Sequence, residues 1–208
     1  MDNKYWNDFY NKDMAPKEAS KFANDIIEFL ETDKSLVELG CGNGRDAKFF
    51  SKYNINITAI DQSEAVILKL NDSNKQDNLK FICDDFVNSN LLDQNKFDYA
   101  YSRFTIHSIT EEEEIILVKR VYNSLKSGGM FFIEVRSVKD ELYGLGKNVG
   151  RNAYIYNEHY RRFIIIDELV QTLKKEGFKI ISAKESNNWA IYKDLNPVVI
   201  RIIAKKDC

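Results

Sequence analysis

VELGCGNGRDAKFF, residues 37–50, governs how the rest of the chain is read. The run SLVELG before and through it is short and apolar, GCGNG brings three glycines together at 40, 42 and 44, and RDAKFFSKY starts a helical pattern directly from the turn. Backbone without Cβ atoms turns tightly and approaches a ligand closely, beside the N-terminus of the helix that follows. The unit is therefore strand, tight turn, helix. Its spacing is not the G-x-G-x-x-G of a dinucleotide site, because the third glycine falls at 44 and Arg45 follows. Glu38, two residues before Gly40, would repel a pyrophosphate and suits a cationic group.

The same alternation continues outward. INITAID reads as a second strand ending in Asp61, SEAVILKLND as a second helix with Ser63 at its N-cap, LKFICDDF as a third strand and KFDYAYSRF as a fourth. Thr110 followed by Glu111 to Glu114 puts a hydroxyl at the N-cap and Glu113 three positions on, a capping box that starts EEEEIILVKRVYNSL. KSGG then reads as a turn and MFFIEVRS as a fifth strand. Strands alternating with helices predict a doubly wound α/β sheet, Rossmann-like and mostly parallel, with helices on both faces. After the helix DELVQTLKKEGF come two strands, KIISAKES and NPVVIRIIAKK, with no helix between them. They must pair antiparallel, since a parallel pair needs a crossover. The expected sheet has seven strands. Residues 1–33 form an N-terminal helical cover, with a helix over 17–31, and 137–165 an inserted cap or loop; 1–208 reads as one domain.

Composition narrows the function class. Thirty Lys and Arg against 32 Asp and Glu give a net charge of -2, which offers no general attraction to nucleic acid or to an anionic membrane. The polar, acidic start and the lack of a long apolar run predict a cytoplasmic protein with no membrane span. Cys41, Cys83 and Cys208 form no C-x-x-C pair, so neither a metal site nor a disulfide framework is expected.

E-x-G-x-G-x-G after the first strand resembles the class I S-adenosylmethionine-dependent methyltransferases, over residues 34–136 and loosely through the last strand pair. The resemblance implies S-adenosyl-L-methionine as cofactor and S-adenosyl-L-homocysteine as product. It implies that Glu38, Gly40, Gly42 and Gly44 shape the cofactor site and that Asp61, with Gln62 beside it, accepts hydrogen bonds from the ribose hydroxyls. In FICDDF it implies that Asp85, or Asp84 by a shift of one, takes the adenine amino hydrogen, with the Phe86 N–H beside it. Tyr5, Trp6 and Tyr10 would belong to a helix closing over the cofactor, or simply pack.

The fourth strand of such a sheet ends in the ligand crevice, and YSRFTIHSI lies there. Arg103 then needs a negative partner, either Glu134 or an anionic substrate. His107 is a general base or a packing residue. The segment from 136 to 162 adds Arg136, Lys139, Lys147, Arg151, Arg161 and Arg162, with His159 and Tyr160. Guanidinium groups from separate segments suit a small anionic acceptor, so Arg103, Arg136, His159, Tyr160, Arg161 and Arg162 are candidate substrate residues. YSRFTIHSI with EHYRRFI is also similar to methyltransferases of bacterial capsule and surface-saccharide modification, including the O-methyl phosphoramidate type. An anionic phosphoryl oxygen would need no base, whereas a sugar hydroxyl would need His107 or His159. Two rival classes remain: a non-catalytic cofactor-binding subunit, and a nucleic-acid methyltransferase, which normally carries an N/D-P-P-Y motif where this chain has YSRF.

Overall fold

The computed structural model describes residues 5–6, 15–93 and 96–207. The glycine turn sits between β1 (Ser35–Leu39) and α2 (Arg45–Ser51), preceded by α1 (Lys21–Ile26). There follow β2 (Asn56–Asp61), α3 (Glu64–Ser73), β3 (Leu79–Cys83), β4 (Phe97–Arg103), α4 (Glu111–Ser124) and β5 (Leu125–Arg136). The last elements are β6 (Lys147–Gly150), β7 (Ala153–Tyr156), β8 (His159–Arg162), α5 (Ile166–Lys175), β9 (Phe178–Ser186) and β10 (Val199–Lys206).

Seven strands form one sheet in the order β3-β2-β1-β4-β5-β10-β9. β10 runs antiparallel to both β5 and β9, and the pairs among β1 to β5 are parallel. The expected Rossmann-like fold is thus observed. Alternation along the central strands divides the core between two faces. Val37, Leu39, Ala100, Ile133 and Val135 pack with Leu117, Val118 and Val121 of α4 and Leu169 and Leu173 of α5. Leu36, Tyr99, Tyr101 and Phe132 pack on the other face with Phe22 and Ile26 of α1, Phe50 of α2 and Val66, Ile67 and Leu70 of α3.

Local signals set several boundaries. The capping box at α4 is complete: the Glu113 N–H donates to Thr110 Oγ1 at 3.2 Å and the Thr110 N–H to Glu113 Oε2 at 2.8 Å. The helix expected over 17–31 is shorter. Ser20 caps α1, accepting from the Ala23 N–H, and after Ile26 the chain tightens into a 3₁₀ turn over Ile27–Phe29. KSGG is a bulge within β5 and not a free turn, since Phe97 pairs with Leu125 and Tyr99 with Met130. The insertion, expected as a cap or loop, contains a three-stranded antiparallel sheet, β6-β7-β8. All of β6 is exposed, so no alternation of apolar and polar residues announced it.

Candidate functional site

The carboxyl ends of β1, β2, β4 and β5 open into one cavity of about 830 Å³, walled also by Tyr5, Trp6, residues 15–16 and 18–21, His159, Arg161 and the β9–β10 connection. This is the crevice that a parallel sheet leaves beyond its strand ends.

Its floor is the glycine turn. Gly40 has φ +72°, and a Cβ there would lie 2.2 Å from Thr105 Cγ2, so only glycine leaves the space over β1 clear. Asp61 lines the cavity beside the glycine turn and is fixed by backbone donors: Gly42 N–H to Oδ2 at 2.8 Å and Ser63 N–H to Oδ1 at 2.9 Å. Its remaining lone pairs can accept two hydroxyl hydrogens. Burial raises the Asp61 pKa, opposed by those N–H groups. Glu38 is buried, and its Oε2 has no hydrogen-bond partner among the described residues. Desolvation, with Asp46 and Asp61 adding, lifts its pKa well above the ordinary carboxyl range. A cation beside Glu38 would relieve that cost.

Gln62 and Phe86 line the same cavity. Asp84 and Asp85 do not; Asp85 instead holds its own turn, accepting from the Val87 N–H at 3.0 Å and Asn88 Nδ2 at 2.7 Å. Gly44 is outside the lining too. It caps α2 at φ +71°, where a Cβ would meet Phe81 at 2.7 Å. Tyr10 lies outside the described residues.

The opposite end of the cavity is built on β4, β5 and β8. Arg103 reaches Glu134 at 2.8 Å, and Glu134 also takes Arg201 Nε at 2.7 Å. Its negative partner is therefore internal, although the guanidinium still borders the cavity. Arg136 is paired with Asp140 at 2.7 Å. Lys139 is paired with Glu185, Arg151 with Glu111 and Glu168, and Arg162 with Glu114. Arg161 is different: among the described residues it has no carboxylate partner, and it lines the cavity. Desolvation first and Arg136 second lower its pKa, against the opposing pull of Tyr5 and Asp140, so an added anion would stabilise this cation. Arg162, two-sided with its neighbour on a strand, points the other way into Glu114 and the Ile109 carbonyl and does not belong to the cavity. Tyr160 lines a second, smaller cavity.

His107 and His159 are 3% and 2% exposed, and neither Nδ1 has a partner among the described residues. Tyr5 stacks on His159 at 4.1 Å and Trp6 meets it edge-on at 4.9 Å, so these two aromatics cover the β8 end. Burial, helped by Arg161 and Arg136, lowers the His159 pKa to about 3. The His107 pKa falls well below 6.5, again from burial first and then Arg136, His159, Arg161 and Arg162. Both rings are neutral in the native protein and protonate below 6.5 when unfolded, so their stabilising contribution is complete above 6.5 and is lost as pH falls. We expect stability to drop on acidification through this window by about 1.4 kcal/mol per pH unit for each ring. Urea midpoints measured at stepped pH check this, and His159→Gln should flatten the slope by about one proton.

Sequence reasoning missed three features. Buried Asp46 accepts from the Ser20 N–H at 2.7 Å, Ser20 Oγ at 2.8 Å and Tyr101 OH at 2.8 Å, tying α1, α2 and β4 together beneath the cavity. Asn188, Trp189 and Tyr192 in the β9–β10 connection form one wall; that connection is much longer than a hairpin turn needs, which was the available signal. Phe104 has φ +56°, unfavourable for an aromatic residue, and its ring lies 4.5 Å from the Arg103 guanidinium and 5.4 Å from that of Arg136. Strain of this kind, roughly 1–2 kcal/mol, is kept where the side chain has work to do. Phe104→Gly should therefore be no less stable than Phe104→Ala, while both raise the acceptor KM about tenfold through loosened arginines. A normal KM in either variant would show that the ring does not hold them.

The crevice at the strand ends, with its glycine floor and the buried carboxylates Glu38 and Asp61, has the layout of the class I methyltransferase fold. The chain belongs to the methyltransferase domain family, whose model matches residues 10–183. Among curated proteins it is 34% identical over 101 residues to phosphoethanolamine N-methyltransferase 1 of Zea mays, covering 48% of this chain and 20% of that one. The chain thus spans about a fifth of the plant relative's length. It is 25% identical over 201 residues to carboxy-S-adenosyl-L-methionine synthase of Nautilia profundicola, covering 85% and 83%. A third relative, the ubiquinone biosynthesis O-methyltransferase of Coxiella burnetii, is 25% identical over 158 residues, covering 71% and 64%. The fold superposes with TM-score 0.69 and 17% identity on the 1,6-didemethyltoxoflavin-N1-methyltransferase of Burkholderia thailandensis, solved with S-adenosylhomocysteine, covering 90% and 77%. An S-adenosylmethionine-dependent methyltransferase from Mesorhizobium loti gives TM-score 0.73 at 15% identity, covering 90% and 98%. Both nitrogen and oxygen methyltransferases are among these relatives. The surface-saccharide pathway implied by the sequence resemblance has no counterpart among the relatives named here. No helix among the described residues is long and apolar enough to cross a membrane.

Proposed function

We propose that the protein transfers a methyl group from S-adenosylmethionine to an oxygen of a small anionic acceptor bearing a phosphate or carboxylate. The observation that carries this reading is Arg161, a partly buried guanidinium on the cavity wall without a carboxylate partner among the described residues, beside Arg136. Burying a charge in that state is costly unless a ligand supplies the counter-charge.

S-adenosylmethionine, when bound, supplies an electrophilic methyl on a sulfonium. Asp61 would hold the ribose hydroxyls, the turn at Gly40 and Gly42 would leave room for the cofactor, and Glu38 would offset its positive charge. Arg161 and Arg136 would orient the acceptor, and positioning alone can supply much of the rate. Tyr5 and Trp6, packed on His159, would exclude water from that end. The depressed basicity of His107 and His159 makes each a weak proton acceptor. That favours an acceptor oxygen already ionised over a neutral hydroxyl, and a protonated amine at the reacting position would be repelled by the arginines.

The test follows transfer of labelled methyl from S-adenosylmethionine to phosphate- and carboxylate-bearing small molecules, with inorganic phosphate as competitor. Phosphate should compete with the acceptor and not with the cofactor. Labelled RNA or DNA in place of a small acceptor would favour the nucleic-acid reading, and cofactor binding without transfer to any acceptor would favour the non-catalytic one.

A further inference from the structure

A second cavity of about 360 Å³ adjoins the first, and the two share Trp6, Ser108 and His159 in their walls. Ser108 is 6% exposed, and neither its Oγ nor His159 Nδ1 has a hydrogen-bond partner among the described residues. Buried polar atoms left without partners are rare in native proteins and call for a ligand or water. The far walls of the second cavity are Thr110, Glu113, Ile155, Glu158 and Tyr160. These include two carboxylates and no cationic side chain, whereas the first cavity presents Arg136 and Arg161. The contrast holds at the Arg136 and Arg161 end of the first cavity, whose other walls carry Glu18, Glu38, Asp46 and Asp61.

Two further details concern Glu158. It sits with Asn157 in the β7–β8 turn at φ 59° and 50°, between the paired residues Tyr156 and His159. A two-residue hairpin of this type favours glycine at its second position, so a glutamate there keeps strain that a turn alone would not require. Glu113 gives Oε2 to the Thr110 N–H at 2.8 Å, which fixes the carboxylate while leaving its other oxygen available.

We infer that the acceptor is two-ended: its anionic group lies at Arg161 and Arg136, and an ammonium group at its other end lies in the second cavity between Glu113 and Glu158, the connecting chain passing Ser108 and His159. The inference rests on the anionic-acceptor reading above. His159 and Arg161 are two positions apart on β8, about 7 Å, so a short linear spacer suffices. Ser108 Oγ and His159 Nδ1 would accept hydrogen bonds from the ammonium as it enters, and Trp6 and Tyr160 line its path.

The test uses the full chain saturated with S-adenosylhomocysteine and calorimetric titration with inorganic phosphate, alkyl phosphates, and aminoalkyl and hydroxyalkyl phosphates of matched length. We expect aminoalkyl phosphates long enough to pass His159 to bind about tenfold more tightly than alkyl phosphates of equal length, the order of one charge-assisted contact. Glu158→Gln should reduce that advantage to less than about threefold while phosphate affinity is unchanged. Glu158→Gly should do the same while relaxing the turn, which separates loss of charge from loss of folding. Equal affinity for amino and alkyl compounds, an equal gain from the hydroxyl compounds, or an advantage that survives both substitutions would overturn the inference and leave the anionic-acceptor reading intact. Phosphate that fails to bind, or binds equally to Arg161→Ala, would remove both.

Discussion

Asp61→Ala is expected to weaken S-adenosylhomocysteine binding by about two to four orders of magnitude, because two charge-assisted hydrogen bonds to ribose are lost at roughly 1.5–3 kcal/mol each. A second effect adds to this. The same carboxylate receives the Gly42 and Ser63 N–H groups at 2.8 and 2.9 Å, and without it the floor of the site and the start of α3 lose an anchor. Asp61→Asn separates the two effects: one side-chain oxygen remains, so binding should fall less and the melting temperature should move little. Calorimetry and thermal unfolding, measured on both variants, provide the check. Undiminished cofactor affinity in Asp61→Ala would remove Asp61 from the ribose site altogether.

The parts of this molecule written in local signals were legible. Glu38-x-Gly40-x-Gly42-x-Gly44 following an apolar run marked the tight turn between β1 and α2, Thr110 and Glu113 marked the start of α4, and the missing helix before β10 marked its antiparallel pairing. What stayed hidden depends on contacts between distant segments. Asp46 reads as an ordinary first-turn acid until Ser20 and Tyr101 are found upon it, 26 and 55 residues away. The basic insertion reads as one cluster, yet most of its cations are consumed by carboxylates from α4, α5, β9 and its own loop. Asp85 reads as an adenine ligand by position, but its oxygens serve the turn over Val87 and Asn88. Charge counts along a sequence do not show which charges are already paired.

Arg161 and Arg162 illustrate that limit most sharply, and they yield the second large expected effect. Adjacent residues on β8 face opposite sides: Arg161 lines the main cavity, whereas Arg162 is buried against Glu114 and the Ile109 carbonyl. Arg162→Ala leaves the Glu114 carboxylate buried without its counter-charge, a change that costs about 3–5 kcal/mol of stability. Burial already raises the Glu114 pKa, with Arg162 the largest opposing influence; removing that arginine should raise it further. Glu114 in the variant then stays protonated to higher pH than in the unfolded chain, so the added instability should grow as pH rises from acid toward neutral. Arg162→Ala combined with Glu114→Gln should recover part of the loss and abolish that pH dependence. Arg161→Ala should behave in the reverse manner, with unfolding free energy little changed because among the described residues this partly buried charge has no carboxylate ion pair to lose, and with the acceptor KM raised about ten- to a hundredfold while cofactor affinity is retained. Denaturant melts and steady-state kinetics on the same pair of proteins decide the matter: equal losses of stability, or an acceptor KM that follows Arg162 and not Arg161, would reverse the assignment of the two side chains.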